Sequence, residues 1–139
     1  MGTLIHADLS RSIIGAAMTV LNELKPGLEA KIYENALVLE LVARRNRIKQ
    51  QDPFPVYYRE QKVGVLIPDL IVDDLVIADP KVVSAFSESH VAKMVGYLTI
   101  TKLQLALLLN FKFAKLDVKR VVRQFHSIDG PRSDVVESS

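Results

Sequence analysis

The chain has 139 residues, of which 49% are hydrophobic and 24% charged, and its formal net charge is +2. This length and balance are typical of one soluble globular domain and exclude a disordered chain. The chain contains no cysteine, which excludes disulfides, iron–sulfur clusters, thiolate zinc sites and cysteine nucleophiles. A metal would need oxygen or imidazole ligands, and oxygen ligands favour Mg²⁺ or Mn²⁺ over zinc.

No targeting segment is evident in the sequence. No basic stretch leads into an apolar run with a cleavage site, and no apolar stretch reaches the roughly 18 residues that span a bilayer. We therefore expect a cytoplasmic protein that makes no membrane contact. The small net charge does not by itself indicate nucleic-acid binding. Basic residues do form two clusters, for which solvated surface is the favoured interpretation; they are Arg44, Arg45, Arg47 and Lys49, then Lys112, Lys115, Lys119, Arg120 and Arg123.

Two helices are predicted in the first third of the chain. Apolar residues recur at three- and four-residue spacings from Ile13 to Leu24, which predicts a helix over residues 9–24. Pro26 and Gly27 end this helix, because a proline disfavours helical geometry in the residue before it and glycine suits a turn. A second helix is predicted over residues 28–46, where a basic run suits a helix C-terminus.

Strands dominate the remainder of the chain. Alternating or continuous apolar residues predict strands over 54–58, 63–72 and 75–83, joined as an antiparallel meander. Ser87 is the predicted N-cap of a third helix that ends at residue 101. Two further strands are predicted over 103–111 and 117–125, and the crossover helix permits a parallel pairing within a mixed sheet. Residues 127–139 are predicted to be disordered, which leaves a single domain over residues 1–126.

A group of charged residues on two of these strands is a candidate for chemistry. Asp69 follows Pro68, nine residues intervene, and Asp79 then begins an Asp-Pro-Lys run that ends at Lys81. If the two strands form a hairpin around residues 73–74, Asp69 and Asp79 are equidistant from the turn and face each other. Residues two apart on a strand share a face, so Asp79 and Lys81 point the same way.

Such a group is costly to bury unless a counter-charge accompanies it. A divalent cation would remove the repulsion between the carboxylates, acidify a water and stabilise charge on a phosphoryl group. Lys81 could then orient that water or stabilise the transition state. The alternative is two surface aspartates near a turn and an exposed ion pair, which is common and contributes little. For an arbitrary group of this kind the surface alternative is favoured, and the apolar residues on either side, which indicate central strands, weaken that preference.

The order and spacing of several motifs resemble the bacterial GxxExxY family, a compact branch of the PD-(D/E)XK nuclease superfamily. The resemblance covers about residues 10–125. It is carried by Pro26-Gly27-Leu28, Tyr33-Glu34, Ala36-Leu37, Pro68-Asp69-Leu70-Ile71-Val72-Asp73, Asp79-Pro80-Lys81, Leu108-Leu109-Asn110-Phe111 and Lys119-Arg120-Val121-Val122-Arg123.

The resemblance implies an α/β (α+β) protein with a restriction-endonuclease-like mixed β-sheet flanked by helices. It implies that Asp69 and Asp79 are metal ligands, with Mg²⁺ or Mn²⁺ as the cofactor, and that Lys81 is the catalytic lysine. The carbonyl of Pro80 is a further candidate ligand. The implied substrate, and hence the expected partner, is nucleic acid.

The chain departs from the family pattern at several positions. The first motif has a glutamate where this chain has Ala30, and Glu34, one helical turn further on, is the candidate replacement ligand. Asp79 stands where the family usually has a glutamate. Lys93 stands where similar sequences have a glutamine, and together with Tyr33 it is a candidate substrate-binding residue.

Two functional hypotheses follow. The first is a metal-dependent nuclease that hydrolyses phosphodiester bonds of DNA or RNA. The second is a catalytically degenerate nuclease fold that acts as a nucleic-acid-binding or protein-interaction module. Tyr57 and Tyr58 could stack on a base, although neighbouring strand residues face opposite ways. For His90 a position at the helix cap or in solvent is favoured over substrate contact. A homodimer would extend the contact that so small a domain makes with a duplex, and the sequence leaves the oligomeric state open.

Overall fold

The computed structural model describes residues 5–123 and 134–138. The described chain forms three helices and eight strands. The helices are α1 (Ala7–Leu24), α2 (Ala30–Ala43) and α3 (Glu88–Thr101). The strands are β1 (Ile48–Gln50), β2 (Phe54–Tyr58), β3 (Gln61–Leu66), β4 (Leu70–Val72), β5 (Val76–Lys81), β6 (Leu105–Asn110), β7 (Asp117–Arg123) and β8 (Asp134–Ser138).

The main sheet has six strands in the order β1-β4-β5-β6-β7-β8, and β2 and β3 form a separate two-stranded hairpin. β5 and β6 are parallel, and the other neighbours in the main sheet are antiparallel. The crossover from β5 to β6 contains α3, which is the connection that a parallel pair requires. The mixed α+β sheet flanked by helices confirms the predicted fold class.

The central strands are buried on both faces, and alternate residues of β6 divide between two clusters. Leu105, Leu107 and Leu109 pack with α1 and α2. Ala106 and Leu108 pack with α3 on the other face. This division follows from the two-residue period of a strand. Side chains of β4 and β5 alternate in the same way between the face covered by α1 and α2 and the face covered by α3.

The loop between α1 and α2 follows the sequence signals closely. The helix ends at Leu24, and Gly27 has φ +115°, a backbone conformation that side chains with a Cβ rarely adopt. Tyr33 fixes this loop from inside the core, because its hydroxyl donates to the Lys25 carbonyl at 2.6 Å and accepts from the Leu28 amide at 3.2 Å. Its ring stacks on Phe111 at a centroid distance of 4.7 Å.

The predicted three-stranded meander was wrong in one respect. The apolar run over 63–72 is two strands, β3 and β4, which belong to different sheets. Pro68 lies in the break between them, where it has no N–H to donate to a ladder. The sequence also gave no indication of the three-residue strand β1, which pairs with β4. α2 ends at Ala43, before the predicted residue 46, because the chain turns at Arg45, which has φ 72°.

Two arginines of the second basic cluster are not surface residues. Arg120 is buried, and its guanidinium donates to Ser10 Oγ and to the Ile5 carbonyl, each at 2.8 Å. Arg123 is buried and donates to the Leu98 carbonyl at 2.9 Å. These hydrogen bonds join β7 to the beginning of α1 and to the end of α3. The two guanidinium groups therefore hold helices against the sheet.

The segment 127–139, predicted to be disordered, is only partly described. Residues 127–133 and 139 lie outside the described residues, as do residues 1–4 and 124–126. Asp134–Ser138 form β8 and pair with β7 from Lys119 to Arg123. The physical reason is that β7 would otherwise present a row of unpaired backbone groups at the sheet edge.

Candidate functional site

The hairpin of β4 and β5 places two aspartates beside each other. Its register pairs Leu70 with Ala78, and one further step in that register sets Asp69 opposite Asp79, as the position of the turn predicted. Strand alternation puts Asp79 on the same face as Ile77, which packs toward α3. Asp79 is buried, with 2% of its surface exposed, whereas Asp69 is half-buried at the mouth of the site.

Lys81 lies on the same face as Asp79, two residues further along β5. Its Nζ is 3.1 Å from Asp79 Oδ2, and only 16% of the lysine side chain is exposed. A buried ion pair of this kind gains much more from its Coulomb attraction than an exposed pair, but it also loses more hydration. The ammonium compensates one of the two carboxylates, so the group keeps an excess of negative charge when both aspartates are ionised.

One oxygen of the pair has no donor. Asp79 Oδ1 is buried and, among the described residues, no group hydrogen-bonds to it. An ionised Asp69 is itself only an acceptor, so the two carboxyl groups can interact favourably only through a shared proton or a cation. Burial raises the pKa of Asp69 from 3.8 to about 6, helped by the proton that the protonated form can share with Asp79 and by charge repulsion from Asp79, and opposed by Gln51 and Lys81.

Pro80 is accommodated without loss of a sheet hydrogen bond. The Lys81 carbonyl accepts from the Phe111 amide at 2.8 Å on the β6 side. The backbone groups of the preceding residue, Pro80, therefore face the opposite side, toward β4. The pairs between β4 and β5 end at Leu70 and Ala78, so the N–H that proline lacks would have had no partner in the ladder.

Glu34 is connected to the aspartates through a residue that the sequence analysis did not identify. Gln51 Nε2 lies 3.0 Å from Glu34 Oε2 and 3.2 Å from Asp69 Oδ1, so one amide group bridges the two carboxylates. Gln50 donates to the same Glu34 oxygen at 2.7 Å, and Lys31 pairs with it at 3.1 Å. Glu34 thus faces the site but is already satisfied by amide and ammonium donors.

The backbone of Gln51 is held in an unusual conformation. Its φ is 57°, in the left-handed region, and its amide donates to the Asp69 carbonyl at 3.0 Å. A residue other than glycine in this region carries strain that the surrounding structure must compensate, and such residues cluster at functional sites. Nothing in the sequence indicates this position, because it depends on the pairing of the short strand β1 with β4.

The remaining predicted residues fall outside this group. Tyr33 is fully buried, with its hydroxyl engaged in the α1–α2 loop, so it presents no surface to a substrate. Lys93 is exposed on α3, with its Nζ 5.5 Å from the Tyr97 ring centroid. Ser87 is the N-cap of α3, as predicted, and His90 completes a capping box with it. The pKa of His90 is lowered by burial and by the positive charges of Lys81 and Lys93, which places this histidine near the site.

Asn110 is a second residue whose role the sequence analysis missed. It is fully buried at the end of β6. Its Oδ1 accepts from the Val83 amide at 3.1 Å, and its Nδ2 donates to the Val83 carbonyl at 2.8 Å. The same Oδ1 accepts from the Lys112 amide at 3.1 Å. Asn110 therefore fixes the chain directly after the Asp-Pro-Lys run and keeps Lys81 in place.

The donor set fits an ion that requires few protein ligands. Within the described part of the chain, no three histidine, aspartate or glutamate side chains are grouped so that they could hold a metal. Mg²⁺ is commonly bound by one or two carboxylates, with water and substrate phosphates completing its shell. The facing aspartates and the unsatisfied Asp79 Oδ1 suit such an ion.

In the described residues, no helix has the length and hydropathy to cross a membrane.

Comparison with known families agrees with this arrangement. A family model described as PD-(D/E)XK nuclease superfamily matches residues 7–121. The matched range contains α1, all of the Pro-Asp and Asp-Pro-Lys elements, α3 and most of β7. No curated protein and no solved structure gives a significant match. The family match, which covers most of the chain, and the sheet that brings Asp69, Asp79 and Lys81 together lead to one conclusion: the chain belongs to the PD-(D/E)XK nuclease superfamily.

Proposed function

We propose that this protein is a divalent-metal-dependent nuclease of the GxxExxY type, which hydrolyses phosphodiester bonds of nucleic acid. The observation that carries the proposal is the facing pair of Asp69 and Asp79, with Lys81 Nζ 3.1 Å from Asp79 Oδ2. Membership of the superfamily supports a nuclease-like function. The metal dependence and the reaction are our inference from the chemistry of these side chains.

Asp69 and Asp79 are the residues that would hold Mg²⁺ or Mn²⁺. The Pro80 carbonyl is a further candidate, because the backbone groups of Pro80 face the side on which β4 has ended. Glu34 could join only if the Gln51 amide moved away from the oxygen that it now contacts at 3.0 Å. When bound, such an ion would neutralise the carboxylates, acidify a water and stabilise charge on the phosphate.

Lys81 has a separate role in this proposal. Its ammonium is held within a largely buried site by Asp79, so it faces a phosphate with little screening by water. An ammonium in that position stabilises the charge that builds up on the phosphoryl oxygens during displacement.

The test is a calorimetric Mn²⁺ titration combined with a plasmid-nicking assay. Asp69→Ala should abolish both metal binding and nicking, whereas Lys81→Ala should abolish nicking and leave measurable Mn²⁺ binding. Asp74→Ala is the matched control, because Asp74 lies on the same hairpin at its opposite end and pairs with Lys49 at 2.8 Å. Full nicking activity in Asp69→Ala would refute the assignment.

A second candidate is the degenerate module, and the position of Gln51 favours it. Its amide occupies the gap between Glu34 and Asp69, which a cation would otherwise bridge, and Ala30 supplies no carboxylate at the start of α2. In this case the wild type should bind no Mn²⁺, whereas Gln51→Glu should gain binding because it adds a third carboxylate. Tight Mn²⁺ binding and nicking by the wild type would exclude this candidate.

A cytoplasmic homodimer remains part of the proposal. A domain of this size covers only a short stretch of a duplex, and symmetric dimers are the commonest oligomers. Light scattering after size exclusion, with and without a duplex oligonucleotide, tests the dimer. A mass of one chain under both conditions would remove it from the proposal.

A further inference from the structure

The β2–β3 hairpin begins and ends at the candidate site. β2 starts three residues after Gln51, and β3 ends three residues before Asp69. The Gln51 amide donates to the Asp69 carbonyl at 3.0 Å and so closes the root of the hairpin. Near this root Phe54 packs against the cluster that includes α3. The hairpin is therefore anchored at the aspartates and on the α3 face, the face toward which Asp79 and Lys81 point.

The far end of the hairpin carries two exposed aromatic rings, one with a guanidinium over it and the other opposite a lysine in the neighbouring strand. Tyr57 and Tyr58 are 61% and 63% exposed. Arg59 lies over the Tyr58 ring, with its Cζ 5.4 Å from the centroid, and Lys62 is the cross-strand partner of Tyr57. Because Tyr57 and Tyr58 alternate in direction along β2, the hairpin presents one ring and one cation on each of its faces.

The turn at the tip adds an independent observation. Arg59 and Glu60 connect β2 to β3 with φ values of 48° and 66°, both in the left-handed region. A two-residue hairpin turn of this kind is normally made by asparagine and glycine, which adopt such angles at little cost. This turn sets the long charged side chains of Arg59 and Glu60 at the tip of the hairpin, where both are exposed to solvent.

We propose that the β2–β3 hairpin is an arm that binds unpaired bases of the nucleic-acid substrate through Tyr57 and Tyr58, next to the Asp69–Asp79 site. This inference rests on the proposed function and extends it, because it names single-stranded nucleic acid as the preferred substrate. Aromatic rings accept any base by stacking, and adjacent cations follow the phosphates. Bases within a duplex are already stacked on each other and cannot use such an arm.

The apolar residues of the same hairpin offer a protein surface as the competing explanation. Val63 and Val65 are exposed on β3. Tyrosine and arginine are also common at protein interfaces, but residues 54–66 carry a positive net charge, because Arg59 and Lys62 stand against a single acidic side chain, Glu60. Charge complementarity and continuity with a site suited to phosphodiesters therefore favour a nucleic-acid strand.

The experiment measures binding by fluorescence anisotropy in EDTA, so that binding is independent of cleavage. The probes are a labelled oligothymidylate, an abasic strand of the same length and charge, and a duplex of the same length. The variants are Tyr57→Ala with Tyr58→Ala, and, as the matched control, Tyr57→Phe with Tyr58→Phe. The more-than-half exposure of both tyrosines means that either pair of substitutions should leave the fold intact, which circular dichroism verifies.

The alanine pair should weaken oligothymidylate binding by about tenfold or more, since stacking on a single aromatic side chain typically contributes that much. The phenylalanine pair should bind as the wild type does, and the abasic strand should bind the wild type as weakly as oligothymidylate binds the alanine pair. Three results would refute the proposed arm: the alanine pair binds oligothymidylate as tightly as the wild type, the wild type binds the abasic strand as tightly as oligothymidylate, or the wild type binds no oligonucleotide. Loss of self-association in the alanine pair, with binding unchanged, would assign the arm to a protein interface.

The two proposals fail in different ways. If the wild type binds single strands through the arm but does not cleave them with Mn²⁺, the nuclease proposal fails and the arm stands within a binding module. If Mn²⁺-dependent cleavage is lost in Asp69→Ala but the alanine pair binds and cleaves like the wild type, the nuclease proposal stands and the arm fails.

Discussion

Replacing Asp69 by asparagine should stabilise the metal-free protein near neutral pH. In the folded chain the pKa of Asp69 is about 6, against its ordinary value of 3.8. Between these two pH values the folded state binds more protons than the unfolded state, so stability falls as pH rises. Above the pKa of Asp69 in the folded state, the folded protein carries the full destabilisation that comes from ionising this half-buried carboxyl. Asparagine removes it, because it carries no charge and its amide can donate to the orphaned Asp79 Oδ1.

The expected magnitude follows from the pKa. A rise from 3.8 to about 6 would correspond to about 3 kcal/mol without screening. Because Asp69 is only half-buried, solvent reduces this to about 1–2 kcal/mol. Asp69→Asn should therefore be more stable than the wild type by about 1–2 kcal/mol at about pH 7, and nearly equal to it at about pH 4.

The assay is urea denaturation in EDTA across this pH range, with the difference between variant and wild type as the measured quantity. Asp74→Asn is the control with opposite sign: the hydrogen bond and charge of Lys49 lower the pKa of Asp74, so this variant should lose stability above the ordinary pKa of an aspartate. Added Mn²⁺ should stabilise the wild type and not Asp69→Asn. An Asp69→Asn difference that is zero, or independent of pH, would refute the reasoning about the facing carboxyl groups.

Three further substitutions test how the site is supported. Asn110→Ala leaves the Val83 backbone groups without their partners, and urea denaturation should show a loss of about 2–4 kcal/mol. Tyr33→Phe keeps the stacking on Phe111 and removes both hydroxyl hydrogen bonds, so the loss should be about 1–2 kcal/mol. A value near zero would show that water replaces these bonds. Ser87→Ala removes the N-cap of α3 and should cost about 1 kcal/mol, whereas Ser87→Asp should restore it.

The position of the acidic pair could be predicted from the sequence, because two simple physical rules are enough to determine it. A tight turn at residues 73–74 determines the register of the hairpin, and the two-residue period of a strand determines the face. Those two rules set Asp69 opposite Asp79 and place Lys81 beside Asp79, and the structure has this arrangement. The predicted fold class was confirmed for a similar reason, since a helix long enough for a crossover permits the parallel pair of β5 and β6.

Gln51 and Asn110 could not be predicted, because their roles depend on contacts distant in sequence. Gln51 reaches Asp69 only because the three residues of β1 pair with β4, and so short a strand has no detectable periodicity. Arg120 and Arg123 were counted among surface charges, since composition does not distinguish a cation that donates to buried carbonyls from one in solvent. The break at residues 67–69 was missed because apolar residues lie on both sides of Pro68 and Asp69, so the two short strands look like one.

The closed root of the β2–β3 hairpin has a consequence for how this protein can diversify. A single backbone hydrogen bond between Gln51 and Asp69 joins the two stems, so the residues between Pro55 and Leu66 form a cassette outside the main sheet. Changes of length or sequence within that cassette need not alter the spacing of Asp69 and Asp79. Ligand binding by the proposed arm and the chemistry proposed for the Asp69–Asp79 site can therefore change separately, and hairpins exchanged between Phe54 and Ile67 would test this independence.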